Sequence, residues 1–173
     1  HLTGISIGSG FVATTGSGYN AAALVGQVPS GYTLTMTDCR NAADVVTGDE
    51  NAGGLVAWVD DDRNSGLVME RCGNTGNIAS SYNAGGLLGY FGGGSLRIAD
   101  CFNTGSVTCD FGSGGVLGQV PDNYSAGDSL LIANCYSTGA VAITSTNTAE
   151  IGGIAGLNTA SDGVLKISNC YYS

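Results

Sequence analysis

Three groups of residues could do chemistry, and their spacing limits what each could do. The densest acidic segment is Val59-Asp60-Asp61-Asp62-Arg63-Asn64. Calcium wants several oxygen ligands at once, yet three adjacent aspartates cannot all face one ion, and the spacing of an EF-hand loop is absent. The segment therefore reads as a solvated acidic loop, with a weak cation site or catalysis as alternatives. Asp38, Arg71 and Asp100 each stand immediately before a cysteine. Such a column could be an acid pair with an electrostatic helper, or an exposed charge ladder whose pairs contribute at most about 1 kcal/mol each. The third group is the cysteines themselves, Cys39, Cys72, Cys101, Cys135 and Cys170, at steps of 33, 29, 34 and 35. Those steps do not resemble paired C-x-x-C zinc ligands. Buried free thiols, disulfides between neighbours and a metal site all stay open, and Cys109 lies outside the series. The only histidine is His1, so neither a Ser-His-Asp triad nor an HExxH site can be assembled from this stretch. No catalytic, cofactor or metal residue is assigned.

The cysteines belong to a repeated unit that has to position everything else. Leu-x-[Ile/Met]-x-x-Cys occurs at Leu34, Leu67, Leu96, Leu130 and Leu165. Upstream of each lies a glycine-bounded apolar run: Ala22 to Gly26, Gly53 to Ala57, Gly85 to Gly89, Gly114 to Gly118 and Gly152 to Gly156. Downstream lies Asn74-Thr75-Gly76-x-Ile78 and its relatives at Asn103 and Ser137, decayed to Asn41-Ala42-Ala43-x-Val45 in the first copy. The glycine-bounded runs read as short buried strands. Leu-x-Ile has the period of two that puts both side chains on one strand face, and the alternation slips before the cysteine, where the chain is expected to turn a corner. Three short strands per copy cannot bury an apolar face alone, and stacked copies can.

The expected fold is all-β: a parallel β-solenoid of about five irregular coils, one continuous domain over residues 21–173. Residues 1–20 carry no clear copy and read as an N-terminal cap or partial coil. With one strand spacing per coil, five copies make a rod of about 24 Å.

Two aromatic columns follow from the same register. Trp58 and Tyr90 come after the glycine-bounded run in adjacent copies, with Gln27 and Gln119 on either side, and Phe102, Tyr136 and Tyr171 follow the cysteine in three copies. Facing outward, either column would suit sugar rings or a partner protein. Facing inward, it would stack within the solenoid.

The glycine-bounded run followed by Ile132-Ala133-Asn134-Cys135-Tyr136-Ser137-Thr138-Gly139-Ala140-Val141 resembles the GLUG repeat of bacterial cell-surface proteins, found in adhesin-like proteins and some IgA-specific metallopeptidases. The resemblance covers roughly residues 21–173 and implies a secreted or cell-surface location. It does not carry the peptidase activity over, because the residues for it are missing here.

Composition narrows the partners. Five Lys and Arg against 14 Asp and Glu give a net charge of -9, which argues against nucleic acid and anionic membrane partners. No apolar run reaches the roughly 20 residues of a membrane-spanning helix. A chain beginning at His1 reads as a piece of a larger one. The expectation is a non-catalytic scaffold that displays loops, such as residues 60–64 and 121–128, to an extracellular protein or glycan, with Trp58, Tyr90, Phe102, Tyr136, Tyr171, Asp60, Asp61 and Asp62 as the candidate surface. The alternative is a β-helical polysaccharide lyase or glycoside hydrolase using acidic residues from adjacent coils.

Overall fold

The computed structural model describes residues 1–17, 19–120, 129–144, 150–158 and 165–173. Among them every regular element is a strand, and every pairing is parallel. The chain visits five sheets in turn, here called A to E, and returns to A one rung further along. In the third coil the visits are Gly66–Glu70 (A), Gly73–Asn74 (B), Ile78–Ala79 (C), Asn83–Gly85 (D) and Leu88–Phe91 (E). Sheets A and B hold six strands, and C, D and E hold five. The result is a parallel β-solenoid of five turns with the first strands of another, Leu165–Ser168 and Tyr171–Tyr172.

The repeat letters set the register. Met36 pairs with Met69, Met69 with Ile98, and Ile98 with Ile132, all in sheet A. Leu67 and Met69 point into the core while Val68 and Glu70 are half-exposed, the alternation that a period of two demands. The opening residues join the stack as well: Leu2 pairs with Met36, Ser6 with Arg40, Val12 with Val45 and Ala21 with Ala52.

Each coil has five strands where three were expected. The glycine-bounded run is not one strand. Gly54 and Leu55 form a bend between Asn51–Gly53 of sheet D and Val56–Val59 of sheet E, and Gly86-Leu87 and Gly115-Val116 repeat it. A short apolar run between glycines has the same composition whether it is a strand or a tight bend with strands on both sides. The close packing explains the second glycine: a Cβ at Gly86 would lie 2.1 Å from the Gly115 carbonyl oxygen and 2.4 Å from Asn103 Cγ.

The corner before the cysteine is a left-handed residue in every coil. Asp38, Arg71, Asp100, Asn134 and Asn169 have φ between 51° and 55°. Asn and Asp tolerate this conformation best among residues with a side chain, and Arg71 is the exception. The following cysteine turns inward, and its thiol donates to the carbonyl two residues back, as in Cys101 to Ala99 O at 3.0 Å and Cys135 to Ala133 O at 3.1 Å.

Two apolar clusters fill the interior. The larger includes Leu67, Met69, Leu88, Phe91, Ile98 and the cysteine column, between sheets A and E. The smaller, around Val45, Ala52, Ile78, Ala84, Val107 and Cys109, lies between sheets C and D. A buried amide ladder runs along the stack from sheet B: Asn41 Nδ2 donates to Asn74 Oδ1 at 2.8 Å, Asn74 Nδ2 to Asn103 Oδ1 at 2.8 Å, and Asn103 Nδ2 to Ser137 Oγ at 3.4 Å. Each of these amides also donates to the carbonyl two residues on. The Asn-x-Gly repeat letters thus record a core hydrogen-bond network.

Candidate functional site

The cysteines form no site open to a substrate. All six are free thiols, and all but the half-buried Cys170 are buried. Cys101 is pushed above the ordinary thiol range by its hydrogen bonds with Cys135 and Cys72 and then by burial. The bond with Cys101 draws Cys72 down to about 7, but Cys72 is 0% exposed. Among the described residues no group of three or more His, Cys, Asp or Glu could hold a metal ion.

The residues before the cysteines are on the surface. Arg71 donates to both carboxylate oxygens of Asp38, at 2.9 and 3.0 Å, with both side chains about half-exposed. The Arg71 hydrogen bond holds the Asp38 carboxyl below its ordinary range. Asp100 instead accepts from Asn134 at 3.0 Å, and Asn134 from Asn169 at 3.3 Å. The arrangement is a ladder of surface pairs in which the two carboxylates serve different partners.

The three adjacent aspartates are divided as well. Asp60 accepts from the Ser30 amide at 3.2 Å. Asp62 accepts from the Ser30 hydroxyl and from the Asn64 amide, which lower its pKa in that order. Asp61 goes elsewhere and accepts from the Tyr90 hydroxyl at 3.3 Å. The segment 121–128 lies outside the described residues.

The two aromatic columns sit on different sheets. Phe102 and Tyr136 stack with ring centroids 5.4 Å apart on the outer face of sheet B, where Tyr171 pairs next to Tyr136. The Arg40 guanidinium lies 5.2 Å from the Phe102 ring centroid, two rungs away across Gly73. In this strip Phe102 and Tyr136 cover one face of each other.

The other column lines a notch. Trp58, Tyr90 and Gln119 occupy successive rungs of sheet E, with the two rings 5.4 Å apart and tilted by 58°. Opposite them are the segments entering sheet D, with Asp49 and Glu50 in one coil and Ser81 and Tyr82 in the next. Asp61 is also on the wall, and the space measures about 470 Å³, within the range of roughly 300–1,000 Å³ usual for small-ligand sites. Among the described residues no Lys or Arg lines it. Burial, followed by the Asp61 charge, raises the Tyr90 pKa, so the phenol stays protonated as a donor.

What sets the notch apart is unmet hydrogen bonding. Among the described residues four buried side-chain polar atoms lack a partner: Trp58 Nε1, Ser80 Oγ, Asn83 Oδ1 and Gln119 Oε1. Three of those side chains line this one space. Asn83 is 0% exposed and Gln119 9%, and leaving such a group unpaired costs about 1–3 kcal/mol. The Asn83 vacancy has a visible origin. A second amide ladder climbs from Asn20 through Asn51 to Asn83, at 2.8 and 2.9 Å, and the next rung carries Gly112, which has no side-chain amide to continue it.

Sequence reasoning named Trp58, Tyr90 and Asp61 and placed Gln119 in their column. It missed Asn83, Glu50 and Tyr82. The signal was available: Asn51-Ala52-Gly53 and Asn83-Ala84-Gly85 become Gly112-Ser113-Gly114, so the ladder stops beside the aromatic pair.

Fold and geometry together define a parallel β-solenoid with a lined lateral notch. No family model, curated protein or solved structure matches the chain.

Proposed function

We propose that the chain is a non-catalytic display module of a bacterial cell-surface or secreted adhesin-like protein: a stiff solenoid that holds the notch beside Trp58 and Tyr90 ready for a glycan. The observation that carries this reading is that the half-buried Trp58 and Tyr90 line one notch with Asn83 and Gln119, and that Trp58, Asn83 and Gln119 each hold a buried polar atom without a partner. Sugars present apolar C–H faces for aromatic stacking and hydroxyls that both donate and accept, which is the complement of one free N–H and two free amide oxygens. A flat protein surface would leave groups set back in a notch unmatched. Rigidity follows from the stacked backbone pairing, so little ordering cost falls on binding. The surface location rests on the likeness of the repeat letters to GLUG repeats.

The test uses the single tryptophan of the chain. Titration with short β-linked oligosaccharides should change Trp58 fluorescence saturably, with no release of reducing ends on prolonged incubation. Saturable binding that Gln119→Ala leaves untouched would place the ligand elsewhere, and oligosaccharide cleavage would replace the display reading with an enzymatic one.

A further inference from the structure

The charge of the notch narrows the ligand class, and we infer that it takes an amino sugar with a free, protonated amine rather than a neutral, acetylated or acidic sugar. This rests on the notch being a glycan site. Its polar inventory is lopsided. Two buried amide oxygens, Asn83 Oδ1 and Gln119 Oε1, call for donors, whereas one buried group, the indole N–H of Trp58, calls for an acceptor. Asp49 and Glu50, from the segment entering sheet D, and Asp61, from the segment leaving sheet E, add carboxylates, and among the described residues no Lys or Arg lines the space.

An ammonium supplies three donors and no acceptor. It is also attracted to the faces of Trp and Tyr rings, and both Trp58 and Tyr90 line this space. An N-acetyl group at that place would remove the charge and set a carbonyl acceptor against carboxylates and amide oxygens. A uronate would add a fourth negative charge to the three. The ring hydroxyls of the same sugar provide the acceptor that Trp58 Nε1 needs. Asp60 and Asp62 take no part, since they do not line the space and their carboxylates face Ser30 and Asn64.

The experiment compares the tetramer of β-1,4-linked glucosamine with its fully N-acetylated counterpart and with cellotetraose, read by Trp58 fluorescence and by calorimetry. The glucosamine tetramer should bind at least about tenfold more tightly than either, and the preference should shrink as salt screens the charges. Glu50→Gln combined with Asp61→Asn leaves one carboxylate, Asp49, on the wall and should sharply reduce the preference. Asp38→Asn combined with Asp100→Asn changes the net charge equally, away from the notch, and should leave it intact. Equal affinity for all three tetramers, tighter binding of the acetylated one, or equal effects of the two double variants would overturn the amino-sugar inference and leave the glycan notch standing. Absence of binding by all three in both measurements would remove both.

Discussion

Single side chains in this solenoid are held to their types by what the neighbouring rungs do. Asn74 receives from Asn41, donates to Asn103 and donates to the Gly76 carbonyl. Asn74→Ala leaves Asn103 Oδ1 buried without a donor and opens a small void, and should cost about 2–4 kcal/mol, measurable by urea unfolding; a loss below about 0.5 kcal/mol would mean the ladder is not formed. Arg71 is the reverse case. It occupies a left-handed corner where the other coils have Asp or Asn, at a backbone cost of about 1–2 kcal/mol, while its pair with Asp38 is solvent-screened and contributes little. Arg71→Asn should therefore leave the melting temperature unchanged or raise it, and a clear drop would show the pair to be worth more than its exposure allows. The variant also has an acid signature. Arg71 lowers the folded-state pKa of Asp38, so the pair's small contribution is complete above the unfolded carboxyl value of about 3.9. It fades as pH falls through the lower folded value, and the variant should lack that part of the acid-side slope.

Strands and bends explain how much of the molecule could be read from its letters. The Leu-x-Ile strands were legible because alternation and the cysteine recur together, and the corner was legible because the alternation slips there. The bend at the glycine pair was not, since its role depends on a carbonyl in the next rung and an amide from another sheet. That dependence is testable. Gly86→Ala pushes a methyl group against the Gly115 carbonyl and Asn103 and should destabilise by about 3 kcal/mol or more. Gly26, in the first coil, has nothing within 4 Å of a Cβ, and its column carries Ala57 one rung on. Gly26→Ala should be neutral or stabilising by up to about 1 kcal/mol. Equal costs at the two sites would contradict the packing described for the bend. The notch was half legible for the same reason: Trp58, Tyr90 and Asp61 are conspicuous as residue types, whereas Asn83 matters only because the rung above it has Gly112.

As a whole the molecule is a one-dimensional stack, so each coil is stabilised mainly by its two neighbours. The central rungs are covered on both sides, whereas Ile151, Ile167 and Tyr172 in the last coils are 44–49% exposed. Amide exchange should be slowest in Gly66–Glu70 and Ser95–Ala99 and fastest in Leu165–Ser168; uniform protection along the stack would contradict nearest-neighbour stabilisation. The notch spans central coils, with Trp58 and Tyr90 on adjacent rungs, so its unmet polar groups sit in the part of the stack that is covered on both sides. The central claim is that the notch residues, and not the aromatic strip on sheet B, meet the ligand. The most direct measurement is side-chain NMR during titration with the glucosamine tetramer. The Trp58 indole N–H and the Asn83 and Gln119 amide resonances should shift together and saturate, while the rings of Phe102, Tyr136 and Tyr171 stay unmoved. Shifts gathered on those three rings, with the Trp58 indole unchanged, would contradict it.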